Sequence, residues 1–184
     1  MPKVKEIILG VTGSIAAYKA CDLIRRFQEE GCRVAVVMTR EAEQFITPLS
    51  LATLSGHKVF RDTSDEFKNA WDMPHIALAQ RADVLLIAPA TANIIGKLAC
   101  GIADNLLSCL AISTKAKIFI APAMNTEMYG HAIVRENMAK LKKLGVEFIG
   151  PAKGKLACGV IGEGHLADVE EIVTAVARSF KTKN

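Results

Sequence analysis

The sequence predicts an α/β fold: a single domain over residues 1–184, three-layered and doubly wound on a mostly parallel six-stranded sheet, Rossmann- or flavodoxin-like. Three observations lead there. Short runs rich in Val and Ile alternate with amphipathic stretches of helical length, the order expected of strand–crossover–strand units. The runs are apolar on both sides, as strands sandwiched between helical layers must be. A length of 184 residues at 51% hydrophobic content suffices for one sizeable core and falls short of two ordinary domains.

Taken in order, the first strand is Glu6 to Val11, where a Val/Ile/Leu run follows a charged start. Ser14 to Glu30 is helical, opened by a Gly-Ser turn that supplies an N-cap. Arg33 to Met38 is the second strand, followed by a helix from about Pro48 to Ser55, where proline suits a first turn. His75 to Arg81 is a short helix leading into the strand Val84 to Ala88. Asn93 to Ser113 carries helical periodicity with a break near Gly101. Lys117 to Ala121 is a strand, Tyr129 to Leu144 a helix, Val146 to Ile149 a strand and Asp168 to Phe180 the last helix. Between these, Gly150 to His165 has five glycines and little periodicity. We read it as a long loop, of the kind that inside a compact domain tends to be functional.

Composition excludes several classes. The formal charge of +4 is scattered, and the densest basic run, Lys140 to Lys143, ends a helix, which makes it a solvated face and argues against a nucleic-acid partner. Five cysteines form no CxxC pair and are odd in number, and the chain opens without a signal-peptide pattern. These features predict a cytoplasmic protein with reduced thiols. No apolar run approaches the ~20 residues of a membrane span.

Candidate site residues gather where strands end, the side on which open α/β sheets bind ligands. In GVTGSIAAYK, Gly13, Ser14, Ile15 and Ala16 bring backbone N–H groups and a hydroxyl to a helix start, an arrangement suited equally to a phosphate or to a simple turn. The spacing is neither GxGxxG nor that of a P-loop. Thr39, just after the second strand, can be a ligand hydroxyl, an N-cap for the helix that follows, or both. In APATANIIGKLACGIADNL, Ala88, Pro89, Thr91 and Asn93 can lie against a planar ring or serve tight helix packing. Asn125, in the Pro122-Ala-Met-Asn125 turn, can offer amide donors to a carboxylate or simply hold the turn.

Taken together, Gly13-Ser-Ile-Ala-Ala-Tyr-Lys19, Ala88-Pro-Ala-Thr-Ala-Asn93, Ala103-Asp-Asn105, Pro122-Ala-Met-Asn125 and Ala157-Cys-Gly159 resemble the homo-oligomeric flavin-containing cysteine decarboxylases. The resemblance runs from Val4 to about Val176. It implies FMN as cofactor, with its phosphate at Gly13 to Ala16, the ribityl chain or phosphate near Thr39, and the ring near Ala88 to Asn93 and Met124. The small-molecule substrate it implies is 4′-phosphopantothenoylcysteine, converted to 4′-phosphopantetheine in coenzyme A biosynthesis. It further implies a homotrimer-based assembly of twelve chains, and a phosphopantothenoylcysteine synthetase as partner. No metal is expected.

The implied chemistry gives the motifs their roles. An N-acylcysteine carboxylate has no adjacent electron sink; oxidising the side-chain CH2–SH to a thioaldehyde creates one, CO2 leaves, and an enethiolate remains to be reduced. The resemblance assigns His75 to proton removal in the oxidative half, Asn125 to the carboxylate, and Cys158 to proton donation in the reductive half, a task for which a protonated thiol is suited. Cys158 lies in GKLACGVIGEGH, which resembles the substrate flap of these enzymes, about residues 150–166. Without the resemblance, His75 reads as a helix-start residue and Cys158 as a small apolar one. Cys21, Cys32, Cys100 and Cys109 are assigned to packing; His57, His131 and His165 receive no role. Two departures stand out: Val160 where many relatives have Asp, and Gly164-His165-Leu166 where they have Gly-Arg-Met. A ligase half is absent, so a stand-alone decarboxylase or a separately expressed domain is expected. The alternatives are a peptidyl-cysteine decarboxylase, against which Cys158 argues; a non-enzymatic FMN-binding regulatory protein, against which the joint presence of His75, Asn125 and Cys158 argues; and a prenyl-flavin synthase, which PAMN does not suit.

Overall fold

A computed structural model describes residues 4–61, 74–155 and 161–181. Strands β1 (Glu6–Val11), β2 (Arg33–Met38), β3 (Phe60–Arg61), β4 (Val84–Ala90), β5 (Lys117–Pro122) and β6 (Glu147–Phe148) form one sheet in the order β3-β2-β1-β4-β5-β6. Every pairing in it is parallel. The chain builds outward from β1 through β2 to β3, then returns to the other side of β1 and builds outward through β4 to β6. The direction of winding therefore reverses between β1 and β4, and their diverging connections leave a crevice at the carboxyl ends.

Alternation along the strands feeds two cores. Ile7, Leu9 and Val11 of β1, with Val84, Leu86 and Ala88 of β4, pack against α1 (Ala20–Glu29), α2 (Pro48–Ser55) and α8 (Val169–Lys181). On the opposite face Ile8, Leu85 and Ile87 meet α3 (Pro74–Arg81), α4 (Ala92–Cys100), α5 (Leu106–Ser113) and α7 (Ala132–Lys143). Both faces of each central strand are covered, which is why these segments read as continuous apolar runs. Gly10 belongs to the second face, where a Cβ would stand 2.6 Å from Leu107; its absence lets α5 lie close against β1.

Three expectations are corrected by local chemistry. The helix expected from Ser14 begins as a 3-10 turn, Ile15–Lys19, and becomes α-helical at Ala20. The helix expected from Tyr129 is two, α6 (Thr126–Gly130) and α7, because the His131 backbone is extended and its ring caps the Ile133 N–H at 3.3 Å. The segment read as a long loop contains an antiparallel pair, β7 (Ala152–Lys155) and β8 (Ile161–His165). The break near Gly101 is real: its φ of 72° ends α4 in the left-handed conformation, and Asn105 and Ser108 close a capping box on α5.

Candidate functional site at the carboxyl edge of the sheet

The β1–β4 junction is fastened by Thr12. This residue is 2% exposed; its hydroxyl donates to the Pro89 carbonyl at 2.7 Å and accepts from the Thr91 N–H at 3.1 Å. One side chain thus ties the end of β1 to the segment leaving β4, where the β4–β5 register shifts between Ile87 and Ala90. Ala88, Pro89 and Ala90 are buried, Thr91 caps α4 through the Ile94 N–H, and Asn93 is exposed. Of the stretch expected to face a ring, the strand portion is therefore enclosed and only its continuation into α4 is open. The Ala123 N–H donates to Ala90 O at 3.0 Å, which carries the fastening on to β5.

Beside this junction the Gly13 turn meets the segment after β2. A Cβ on Gly13 would lie 2.5 Å from the Cβ of Glu41, so glycine is what permits the approach. Ser14 caps the following turn by accepting from the Ala16 N–H, while Ile15 is exposed. Thr39 is 5% exposed, and its hydroxyl makes no hydrogen bond among the described residues. The N-cap reading of this side chain fails, because Thr39 makes no side-chain cap bond to the 3-10 turn that follows. Burying a hydroxyl without a partner costs about 1–3 kcal/mol, a deficit that a ligand oxygen seated at the Gly13 turn would relieve.

At the end of β5, Met124 packs partly buried against the second core, and its N–H donates to Gly164 O of β8 at 3.0 Å. Asn125 is exposed and caps α6, its Oδ1 accepting the Glu127 N–H at 2.7 Å. The turn-holding reading of Asn125 is thus borne out. That role uses the carbonyl end of the amide, whereas a carboxylate would call on the nitrogen end. His75 is half-buried in the first turn of α3. Cys158 lies outside the described residues.

The Ala103-Asp104-Asn105 motif is engaged in structure. Asp104 receives Lys97 Nζ on both carboxylate oxygens at 2.8 and 2.9 Å, and that cation holds its carboxyl below the usual range. Of the cysteines assigned to packing, Cys21 and Cys32 do pack against the first core, whereas Cys100 is exposed. A cavity lined by Ile76, Gln80, Asp83 and Lys115 opens near the start of β4. Among the described residues no cluster could hold a metal, and no helix is long and apolar enough to cross a membrane. Sequence reasoning missed Thr12; the available signal was a hydroxyl between a buried strand and a glycine turn, at the point where that strand must be tied to its neighbour.

A family model described as Flavoprotein matches residues 1–181. The chain belongs to this flavoprotein family. It is 43% identical over 179 residues to the Vibrio vulnificus coenzyme A biosynthesis bifunctional protein CoaBC, covering 97% of this chain and 44% of that protein. It therefore spans less than half the length of such bifunctional relatives. To the probable phosphopantothenoylcysteine decarboxylase of Streptococcus mutans it is 45% identical over 174 residues, covering 94% of this chain and 97% of that one. Among solved structures, a PPC decarboxylase Cys-to-Ser mutant complexed with pantothenoylaminoethenethiol superposes with a TM-score of 0.87 at 33% identity, over 97% of this chain and all of the other. The FMN binding protein AtHal3 does so with a TM-score of 0.84 at 33% identity, over 99% of this chain and all of that one.

Proposed function

We propose that the chain is an FMN-dependent decarboxylase of 4′-phosphopantothenoylcysteine, yielding 4′-phosphopantetheine for coenzyme A biosynthesis. What supports the reading is that the Gly13 turn, the buried Thr39 hydroxyl, which has no partner among the described residues, and the Asn125 turn each follow the carboxyl end of a strand of the same parallel sheet. The first two fit FMN: a glycine turn at a helix start, drawn close to Glu41 after β2, beside a buried hydroxyl without a partner among the described residues. Gly13, Ser14, Ile15, Ala16 and Thr39 would hold the phosphate and ribityl oxygens, with the open end of the Ala88 to Asn93 segment, Thr91 to Asn93, and Met124 beside the ring and the buried Ala88 and Pro89 behind it. When bound, FMN supplies reversible hydride transfer, the redox change that turns the cysteine side chain into an electron sink and back.

The chain's own residues do the rest. His75 removes a proton in the oxidative half; an imidazole is matched to that task near neutrality. Asn125 donates N–H to the substrate carboxylate until CO2 departs, holding it without adding charge, while its own orientation is fixed by the Glu127 N–H. Cys158 gives the proton that completes reduction of the enethiol. Exposed Ile15, Tyr18, Ile76 and Ile112 supply apolar surface for the trimer-based, twelve-chain assembly we infer. The fused architecture of the bifunctional relatives supports a phosphopantothenoylcysteine synthetase as partner, and a cytoplasmic location follows from that biosynthetic role.

The test is direct. Purified protein loaded with FMN, given 4′-phosphopantothenoylcysteine, is expected to release CO2 and yield a product with the mass of 4′-phosphopantetheine. A product stopped at the enethiol would favour peptidyl-cysteine-type chemistry, and unchanged substrate would defeat the reading.

A further inference from the structure

We infer that Gly162 and Gly164 of β8 are positioning residues for Asn125. Resting on the decarboxylase reading, this inference names a part of the machinery that lies off the sheet. The two glycines are i and i+2 on one strand and so share a face, and that face lies on the Asn125 turn. Gly164 accepts the Met124 N–H at 3.0 Å; a Cβ there would stand 2.2 Å from the Met124 carbonyl oxygen, and its φ of 134° itself favours glycine. A Cβ on Gly162 would stand 2.4 Å from Thr126 Oγ1 and 3.0 Å from Thr126 Cγ2. Thr126 Oγ1 is buried without a hydrogen-bond partner among the described residues, so what β8 makes with Thr126 is a steric seat. The residues on either side of Asn125 are each covered by a β8 glycine, while Asn125 itself is exposed. Oδ1 accepts the Glu127 N–H, and the backbone that carries the Asn125 amide is held from outside by β8.

The distances make this testable. Bringing a Cβ on Gly162 from 2.4 Å out to ordinary contact at 3.4 Å needs a shift of about 1 Å, and misplacement on that scale lowers catalysis about 100-fold. Gly162→Ala is therefore expected to keep its FMN, read by absorbance, and to lose about 100-fold in kcat with little change in KM. Thr126→Ala removes both atoms the new methyl meets first, so Gly162→Ala/Thr126→Ala should recover to within about tenfold of the parent. Gly164→Ala opposes backbone, and Thr126→Ala should not rescue it. If Gly162→Ala does not accumulate, the double variant decides alone: near-parental kcat supports the seat and its loss overturns it. Hydrogen exchange over residues 121–129 gives a second arm that needs no substrate. Faster exchange of the Met124 amide in Gly164→Ala supports the seat, and parental exchange overturns it. If the unmodified protein fails to turn over 4′-phosphopantothenoylcysteine, the functional reading falls while the exchange arm still judges β8. Parental kcat in Gly162→Ala, or loss without rescue in a folded double variant, overturns the inference.

Discussion

Replacing Thr12 by valine keeps the shape of the side chain and deletes only the hydroxyl that joins β1 to the β4 exit. Two groups lose partners, the Pro89 carbonyl at 2.7 Å and the Thr91 N–H at 3.1 Å. Pro89 is buried and Thr91 partly so, which places the carbonyl toward the upper end of the ~1–3 kcal/mol for an unpaired group and the N–H, within reach of water, toward the lower end. The expected destabilisation is about 2–4 kcal/mol, a large share of the ~5–15 kcal/mol available to a domain. For a chain of this size it lowers Tm by about 4–16 °C. Thermal unfolding of FMN-free protein measures it, with Thr12→Ser as the control, since serine keeps the hydroxyl and gives up one methyl, about 0.8 kcal/mol. The order expected is parent, Ser, Val. If Val matches the parent while Ser falls below it, the methyl matters and the hydroxyl does not, and the account of how the β1 and β4 exits are fixed is wrong.

At Thr39 the expectation reverses: Thr39→Val should leave FMN-free protein as stable as the parent or more so, because the buried hydroxyl has no partner among the described residues to lose, yet weaken FMN about 10–100-fold. Fluorescence titration with FMN checks this, and parental affinity would remove Thr39 from the cofactor site. His75→Asn and Asn125→Asp should keep FMN but lose CO2 release; the aspartate would oppose the substrate carboxylate by about 1–4 kcal/mol at ~4 Å, and normal turnover in either variant dismisses that residue. Cys158→Ser should still decarboxylate and stop at the enethiol, two hydrogens lighter than 4′-phosphopantetheine by mass spectrometry; full reduction at the parental rate would make Cys158 structural. Burial pushes the Cys32 thiol above its ordinary 9.0, so the folded state keeps this proton when the unfolded chain has lost it. That share of stability is intact below pH 9 and fades as pH climbs through the higher folded value; denaturant titrations of parent and Cys32→Ala should converge over that rise, and parallel curves would contradict it.

What the sequence made legible follows from how much local chemistry each part carries. The ends of β1 and β2 match the observed residues because a strand buried on both faces leaves an unbroken apolar run. The placement of α2 and the break at Gly101 were equally readable, from a first-turn proline and a left-handed glycine. Two-residue β3 was not, since edge pairing of Phe60–Arg61 with Val37 and Met38 leaves no periodic trace. The β7–β8 pair escaped for a related reason: glycines weaken any strand pattern, and here two of them are present because β8 must lie flat on another segment. The same holds for the site. Motifs after β1, β2, β4 and β5 located the crevice, but the division of labour within it depends on partners supplied from residues far away in the chain.

The threonines show why. Thr12, Thr39, Thr91 and Thr126 each follow or precede a strand or turn at the carboxyl edge, and nothing in the residue type separates them. Partners do. Thr12 is bonded twice across the β1–β4 junction and Thr91 caps α4, so both hydroxyls are consumed in holding loops. Thr39 and Thr126 are buried at the oxygen with no partner among the described residues, which a fold tolerates only where something else is gained. The Thr39 hydroxyl follows β2 near the Gly13 turn, and on the proposed function its compensating group would be a ligand's oxygen; that of Thr126 lies under Gly162, and on the inference above its compensation would be a close seat for β8 and a fixed Asn125. Replacing each hydroxyl with a methyl should therefore sort the four: Thr12 and Thr91 report in stability, Thr39 in cofactor affinity, and Thr126 in neither until an alanine at 162 makes its size matter.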